Sequence, residues 1–307
     1  MALVYQHISE NKTKTALLLG AFLMLIIALG FMFSQAYDSP QILYAATIFS
    51  VGYSLISYFF SSRITLAISR ARPVDRAANK DLYDLVENLA IAAGLPAPKI
   101  YIIDDTALNA FATGRNPENA VIVFTTGIVQ KLSKVELEGV VSHELSHIGN
   151  YDIRLMTLVV VLVGVLTLLA DFFLRVRFFG GRKQEGNQIQ AIFMLLGIVL
   201  AILSPIIAML IQLAISRKRE YLADASGALL TRYPEGLASA LEKISGDTEP
   251  LEAANKATAH LYIADPFHSD NPAMKLKSGG GRGIFASLFN THPPVAERIK
   301  RLRGMGL

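Results

Sequence analysis

The stretch His143-Glu144-Leu145-Ser146-His147 has the pattern H-E-x-x-H, and it decides how the rest of the fold is interpreted. On a helix, residues four apart lie one turn apart on the same face, so His143 and His147 can bind one metal ion together. Glu144 is rotated off that face, where its carboxylate can take a proton from a water activated by the metal. Two histidines at this spacing also occur as surface side chains, so the motif needs support from its surroundings.

The surrounding residues predict that the motif lies in the last turns of a helix of about four turns. Ser133 and Glu136 have the spacing of a capping box, and Gly149-Asn150 is a stop signal. Apolar side chains between these ends form a stripe on the helix: Val135, Val140, Val141, Leu145 and Ile148.

A zinc site needs a third protein ligand, and the best candidate is Glu220. The metzincin continuation is absent, because residues 148–152 read I-G-N-Y-D. On a helix Glu220 and Asp224 are an i, i+4 pair, so one carboxylate could bind metal while the other orients a ligand histidine. A charged, solvated helix end leaving a membrane is the alternative, and the residues alone leave this choice open.

Long apolar runs indicate a membrane protein. Hydrophobic residues make up 52% of the chain, and the mean hydropathy of +0.40 is high for a soluble protein. Residues 16–33 and 42–60 carry no charge and are about long enough to cross a bilayer. Residues 156–174 and 189–215 form a second hydrophobic hairpin, inserted between the two halves of the proposed zinc site. A cleavable signal peptide is disfavoured, because the first run is longer than a usual h-region and a second span follows closely.

These patterns divide the chain into four parts. Residues 1–63 form an N-terminal transmembrane hairpin, and residues 64–155 form the first part of a peptidase domain with the motif helix. Residues 156–215 are the second hydrophobic hairpin, and residues 216–307 are the second part of the peptidase domain.

The basic residues predict the orientation, because Lys and Arg concentrate on the cytoplasmic side of membrane proteins. Five of them flank the first hairpin on the side of the peptidase domain: Lys12, Lys14, Arg63, Arg70 and Arg72. The peptidase domain should therefore face the cytoplasm. The basic loop 175–183 would lie outside, against the rule, so the depth of the second hairpin stays open. A hairpin of either depth returns Glu220 to the side of His143.

The composition excludes other kinds of site. The chain has no cysteine, so it has neither disulfides nor thiolate zinc ligands. Its net charge of +4 comes from basic residues at span ends, which indicates a lipid bilayer rather than a nucleic acid as partner. Asp171 is the one ionisable residue inside a predicted span, which argues against a transporter.

Two further segments could contact substrate. An amphipathic helix at 79–95 and a strand at 99–103 precede a predicted β-hairpin, 109–114 with 120–125. A strand beside a catalytic helix can bind an extended peptide, although a purely structural hairpin fits the pattern equally well. Near the C-terminus, the segment 290–298 contains His292 and Arg298 around two prolines at a helix start. Both side chains could donate to a developing oxyanion, but a lone histidine beside prolines is more often structural.

Together these segments resemble the HtpX family of bacterial membrane metallopeptidases, which are related to the CAAX prenyl endopeptidases. The matching motifs follow two N-terminal spans and run in order: N-A-F-A at 109–112, H-E-L-S-H at 143–147, R-E-Y-x-A-D at 219–224 and T-H-P-P-x-x-x-R at 291–298.

The resemblance assigns roles to these residues. It implies that Glu220 completes a zinc site with His143 and His147, and that Glu144 is the general base. It further implies support of the site by Asp224, stabilisation of the transition state by His292 and Arg298, and contacts to the substrate backbone by Asn109, Ala110, Phe111 and Ala112.

We therefore expect α-helical integral membrane hairpins plus an α+β zincin-like peptidase domain holding one Zn²⁺ per chain. The expected activity is that of an endopeptidase of the bacterial inner membrane, facing the cytoplasm. By resemblance, its substrates are membrane or unfolded proteins and its role is stress response and protein quality control. A membrane chaperone or scaffold with a vestigial metal site is the alternative, against which the intact Glu144 argues. The sequence makes no prediction of oligomeric state.

Overall fold

The computed structural model describes residues 2–36, 38–179, 217–255, 257–267 and 293–306. The predicted second half of the second hairpin and the start of the segment 290–298, including His292, lie outside these residues.

Two long apolar helices form the N-terminal hairpin. Helix α1 spans Ala2–Ala36 and helix α2 spans Pro40–Ile68. Within them, Ile8–Gln35 and Pro40–Ile68 are long and apolar enough to cross a membrane. Both predicted spans are confirmed as apolar helices, although α2 continues past residue 63 to Ile68 without a break.

The peptidase domain combines a small mixed sheet with helices. Its strands are β1 (Arg72–Pro73), β2 (Lys99–Ile103), β3 (Ala110–Thr113) and β4 (Val121–Thr125). The order is β1-β2-β4-β3, with β2 parallel to β4 and both β1 and β3 antiparallel to their neighbours. Strand β3 is therefore an edge strand. The predicted β-hairpin is confirmed as β3 and β4, with Phe111 opposite Val123.

Seven further helices were identified within the described ranges. They are α3 (Lys80–Ala92), α4 (Thr126–Lys131), α5 (Lys134–Gly149), α6 (Asp152–Phe179), α7 (Arg217–Thr231), α8 (Pro234–Gly246) and α9 (Val295–Arg303). Short 3₁₀ turns lie at Pro117–Asn119 and Ala259–Leu261.

Helix α5 lies at the centre of the domain and carries the H-E-x-x-H motif. It packs against α3, α7, α8 and β3. Its capping box is confirmed, because the Glu136 carboxylate accepts a hydrogen bond of 2.8 Å from the Ser133 N–H. Lys243 and Ser239 from α8 donate to the same carboxylate at 2.7 and 2.6 Å. The start of α5 is thus tied to α8.

One residue of the predicted apolar stripe was placed wrongly. Val135 is 45% exposed, whereas Leu137 is buried in the core with Val141 and Leu145. Val135 precedes Val140 by five positions, which turns its side chain about 140° away from the buried face. Leu137 has the i, i+4 spacing to Val141 that the buried face requires.

Helix α6 follows α5 after a sharp bend of 83°. Its first turns pack against α1, where Leu158, Val159 and Leu162 contact a cluster with Leu18 and Phe22. The helix starts at Asp152, before the predicted hairpin boundary at residue 156. The end of the motif helix α5 is thus connected, through residues 150–151, to α6, which packs against α1.

Candidate metal centre

Two helices bring three buried metal-ligating side chains together. Helix α5 supplies His143 and His147, and α7 supplies Glu220; one ligand atom from each lies within 4.8 Å of the other two. Nε2 of His143 lies 3.2 Å from Nε2 of His147 and 3.9 Å from Oε2 of Glu220. Nε2 of His147 lies 3.6 Å from Oε1 of Glu220. Ligand atoms of a tetrahedral zinc ion are about 3.3 Å apart, so these separations fit a metal site.

The outer nitrogens of the two imidazoles face carboxylates. Nδ1 of His143 lies 2.9 Å from Oδ1 of Asp224, and Nδ1 of His147 lies 3.0 Å from Oδ2 of Asp152. A carboxylate on Nδ1 favours the tautomer with its proton there, which leaves the lone pair on Nε2. When both rings are neutral, the two Nε2 lone pairs face each other at 3.2 Å, an arrangement that a cation between them would stabilise. The donor set therefore fits a divalent metal.

Close packing of α7 on α5 positions Glu220 and Asp224. At Gly227 of α7, an added Cβ would lie 3.0 Å from the backbone nitrogen of His143, so a larger residue would separate the helices. The approach allows two residues one turn apart on α7, Glu220 and Asp224, to reach opposite nitrogens of the His143 ring.

Arg298 from α9 binds the carboxylate of Asp224 through two hydrogen bonds. Its Nε and Nη2 donate to the two Asp224 oxygens at 2.8 and 2.7 Å, and its Nη1 donates to the Ile263 carbonyl at 2.9 Å. Nη1 also lies 3.8 Å from Oε2 of Glu220. Burial raises the pKa of Asp224, but the charge and hydrogen bonds of Arg298 together with the contact to His143 outweigh it and hold the pKa at about 2. Asp224 is therefore ionised when it contacts His143.

The pKa values of the two ligand histidines shift in opposite directions, because burial lowers both but their charged neighbours differ. At His143, burial lowers the pKa to about 4, and the opposing contact with Asp224 does not compensate. At His147, burial is outweighed by the hydrogen bond with Asp152 and the charge of Glu220, which raise the pKa to about 9. Because a metal binds the neutral ring, metal binding at neutral pH would release a proton from His147.

Glu144 is buried beside the three ligands. Burial raises its pKa to about 7, and the negative charge of Glu220 acts in the same direction. His147 and a hydrogen bond with the Ala112 backbone N–H act against this rise. Because Ala112 is in β3, the edge strand and the glutamate of the motif are in direct contact.

The predicted substrate segment lies on that edge strand and is buried. The Ala110 carbonyl accepts a hydrogen bond of 2.9 Å from the Ile263 N–H, and the Asn109 side chain donates to the Ala264 carbonyl at 3.1 Å. Phe111 faces the other side of the sheet, where its ring meets the Tyr262 ring edge-on at 5.0 Å. A chain segment at 262–264 therefore occupies part of the β3 edge in this conformation.

Comparison with known proteins decides the family. The model of peptidase family M48 matches residues 76–306. A "Protease HtpX homolog" of Tropheryma whipplei is 43% identical over 304 residues, covering 99% of this chain and 99% of the relative. The chain belongs to the HtpX group of peptidase family M48. An HtpX homolog of Caldanaerobacter subterraneus is 42% identical over 308 residues, with 98% of each chain covered.

Among solved structures, a crystal structure of S. mikatae Ste24p is similar to this chain. The alignment covers 98% of this chain and 67% of that chain, with a TM-score of 0.48 and 20% sequence identity.

Membership of the HtpX group of family M48, with two helices able to span a membrane, makes this chain a membrane metalloprotease. Its substrates are therefore proteins. The matched region contains the four residues that meet at the centre: His143, Glu144, His147 and Glu220.

In this HtpX-group protein, Asp152 contacts the centre and Asn11 contacts Asp152, and the sequence predicted neither role. Asp152 is the carboxylate partner of His147. Asn11, a polar residue at the start of the first apolar helix, hydrogen-bonds to Asp152 at 2.7 Å. An acidic residue directly after the motif helix was the one available signal. The link to Asn11 is visible only in three dimensions.

Proposed function

We propose that this metalloprotease is a zinc-dependent endopeptidase of the inner membrane whose active site faces the cytoplasm. The observation that carries the proposal is the convergence of His143, His147 and Glu220 beside the buried carboxylate of Glu144. Two imidazoles and one carboxylate are the ligand set of gluzincin-type peptidases, which keep a position open for water or substrate.

The proposed metal ligands are His143, His147 and Glu220, holding one Zn²⁺ per chain. When bound there, zinc supplies Lewis-acid chemistry that polarises the scissile carbonyl and makes a water molecule more acidic. Borderline donors such as imidazole and carboxylate suit zinc, and the chain has no cysteine that would favour a thiolate site.

Glu144 is the proposed general base. It takes a proton from the attacking water and then delivers that proton to the leaving amine. Burial raises its pKa to about 7, and a group near the working pH can both accept and release a proton. The Ala112 N–H holds the carboxylate on the side of the edge strand, where a substrate would lie.

Asp224 is the proposed partner that orients the His143 ring, and Arg298 holds Asp224 in place. The bidentate contact of Arg298 with Asp224 supports a positioning role, because its Nε and Nη2 both donate to that carboxylate. Contact between Arg298 and the transition state stays a prediction. So does donation by His292, which precedes Pro293 and lies outside the described residues.

Strand β3 is the proposed site for the substrate backbone, through Asn109, Ala110, Phe111 and Ala112. In an antiparallel pair alternate residues turn their backbone groups outward, so an extended peptide can add to an edge strand. Because the Ile263 N–H donates to Ala110, a peptide pairing there would displace the segment at 262–264.

Substrates of this site are proposed to be membrane-associated or unfolded proteins, which gives the enzyme a role in protein quality control. The motif helix α5 passes directly into α6, and α6 packs on the membrane helix α1. A site at the ends of membrane helices favours polypeptides that are bound to the bilayer or extended beside it. The basic residues near the ends of α1 and α2 support a cytoplasmic orientation.

Cleavage of an unfolded soluble protein tests this proposal. The purified full chain in detergent should degrade casein with zinc present, stop when a chelator removes the metal, and resume when zinc is added back. The matched Glu144→Gln protein should bind zinc and leave casein intact. Equal cleavage by both proteins would identify a contaminating protease, and zinc binding by an inactive wild type would favour a chaperone or scaffold.

A further inference from the structure

A buried amide in the first membrane helix reaches the peptidase domain. Asn11 lies in α1 and is 4% exposed. Its Nδ2 donates to the carbonyl of Asn150 at 3.0 Å and to Oδ1 of Asp152 at 2.7 Å. Both acceptors are distant in sequence, at the junction of α5 and α6. A buried amide has to be hydrogen-bonded to avoid a penalty, and this one is matched by groups at the end of the motif helix.

Asp152 connects this amide to the metal centre. Its Oδ2 lies 3.0 Å from Nδ1 of His147, and its Oδ1 accepts from both Asn11 and Nε of Arg219, the latter at 2.8 Å. Arg219 immediately precedes Glu220 on α7 and also donates to Oδ1 of Asn11 at 3.5 Å. Asn11 is therefore one residue removed from His147 through Asp152, and it contacts the neighbour of Glu220.

The backbone between α5 and α6 explains why Asp152 needs a fixed partner. Tyr151 has a positive φ of 60°, and the helices meet at 83°. A non-glycine residue in the left-handed region is strained and persists only when its surroundings hold it there. Asn11 bonds the residues on both sides of Tyr151, and Lys12 places its ammonium group 4.9 Å from the centroid of the Tyr151 ring. Asn11 and Lys12, two successive residues of α1, thus both contact the turn that orients Asp152.

The residue type matters here. An apolar side chain of similar size at position 11 would fill the space but donate no hydrogen bond. The two hydrogen bonds of Asn11 instead fix the orientation of the Asp152 carboxylate, because they bind the turn and Oδ1 of Asp152. Its Oδ2 is then free to contact His147. Partners that orient a metal ligand from outside the ligand set typically change metal affinity by about 10–100-fold when removed.

We propose that Asn11 is a positioning residue of the metal centre, which makes the first membrane helix part of the peptidase site. Asn11 acts through Asp152 on His147. This inference rests on the proposed metal site of His143, His147 and Glu220. Zinc affinity would then depend on the position of α1 relative to the peptidase domain.

Zinc affinity of the full chain in detergent tests this inference, with a competing chromophoric chelator as the readout. Every variant is made on the Glu144→Gln background, so that self-cleavage does not occur. We expect Asp152→Asn to weaken zinc binding about 10–100-fold and Asn11→Leu to weaken it about 10-fold. If Asn11 acts through Asp152, the double variant should bind zinc no more weakly than Asp152→Asn alone.

Thr15→Val is the matched control. Thr15 is buried on the same helix, one turn after Asn11, and its hydroxyl donates to the backbone carbonyl of Asn11 at 2.8 Å, which leaves the Asn11 side chain and its bonds to the turn unchanged. This variant should keep the parent zinc affinity. Thermal unfolding in excess chelator reports folding independently of the metal, and Asn11→Ala replaces Asn11→Leu if the larger side chain disturbs packing.

The outcomes separate the two proposals. A parent chain that binds no zinc would overturn the proposed metal site itself. A parent that binds zinc together with an Asn11→Leu variant of equal affinity would overturn the positioning role alone. Additive losses in the double variant would also overturn it, since Asn11 would then act independently of Asp152. If neither Asn11 variant folds without metal while Thr15→Val does, Asn11 has a general structural role and the inference fails.

Discussion

Replacing Arg298 with methionine should destabilise the protein strongly, because it leaves a buried carboxylate without its partner. Arg298 is 0% exposed and holds Asp224 through two hydrogen bonds of 2.8 and 2.7 Å. Removing one member of a buried ion pair costs about 3–5 kcal/mol, mainly because the remaining charge is uncompensated. At about 1.5 °C per kcal/mol for a chain of 307 residues, from an unfolding entropy of about 2.1 cal/mol/K per residue, the melting temperature should fall by roughly 5–8 °C.

Two companion variants show whether the charge is the cause. Asp224→Asn combined with Arg298→Met removes both charges, so its loss should be smaller than that of Arg298→Met alone. Arg298→Lys keeps the charge but lacks the planar fork that matches both Asp224 oxygens, so it should fall between parent and Arg298→Met.

The pH dependence of this effect has a definite sign. The folded-state pKa of Asp224 is lowered to about 2, so its contribution is present above the unfolded value near pH 4. That contribution is lost as the pH falls from about 4 towards 2. The difference between parent and Arg298→Met should therefore shrink over this interval.

Thermal unfolding at one heating rate, in detergent and excess chelator and on the Glu144→Gln background, measures these differences. The ion-pair reasoning would be refuted by an Arg298→Met protein that melts with the parent. It would be refuted equally by a double variant that is as unstable as the single one.

Three further predictions follow from packing, charge and sequence. Gly139→Ala should cost about 1–3 kcal/mol in thermal unfolding, because its Cβ would lie 2.5 Å from the backbone nitrogen of Leu237; Gly246→Ala, with no atom within 4 Å of the added Cβ, should not. Glu136→Gln should lower stability by about 1–2 kcal/mol at neutral pH. Hydrogen bonds outweigh burial and lower the pKa of Glu136 to about 2. In a pH series of melting curves, the difference from the parent should therefore vanish as the pH falls from about 4.5 towards 2. His292→Ala should reduce kcat by about 10²–10³ in steady-state casein cleavage while zinc content is unchanged, and zinc loss would instead indicate a structural role.

Local patterns predicted the elements that carry the motif. The strand at Lys99–Ile103 and the end of α5 at Gly149 agree with the sequence because turn and cap residues mark them directly. The pairing of His143 with His147 was also predictable, since helical periodicity alone places them on one face. Glu220 needed the family resemblance, because no local rule brings α7 to α5.

The remaining parts depend on tertiary contacts that no sequence period encodes. Asp152 faces His147 because the chain bends by 83° at Tyr151, where φ is positive, a conformation that sequence gives no reason to expect at a tyrosine. The hydrogen bond from Asn11 to Asp152 joins residues 141 apart in the chain. Ile263 lies outside any regular strand, so edge-strand reasoning did not anticipate its hydrogen bond with Ala110 of β3.

The metal content of three purified proteins tests the central claim most directly. Full-length wild type, Glu144→Gln and Glu220→Gln would be dialysed against the same zinc buffer and measured by inductively coupled plasma mass spectrometry. A His₂Glu site with Glu144 as base predicts one zinc per chain in wild type and Glu144→Gln, and much less in Glu220→Gln. Full zinc content in Glu220→Gln, or an equal loss in Glu144→Gln, would contradict the assignment of the ligands.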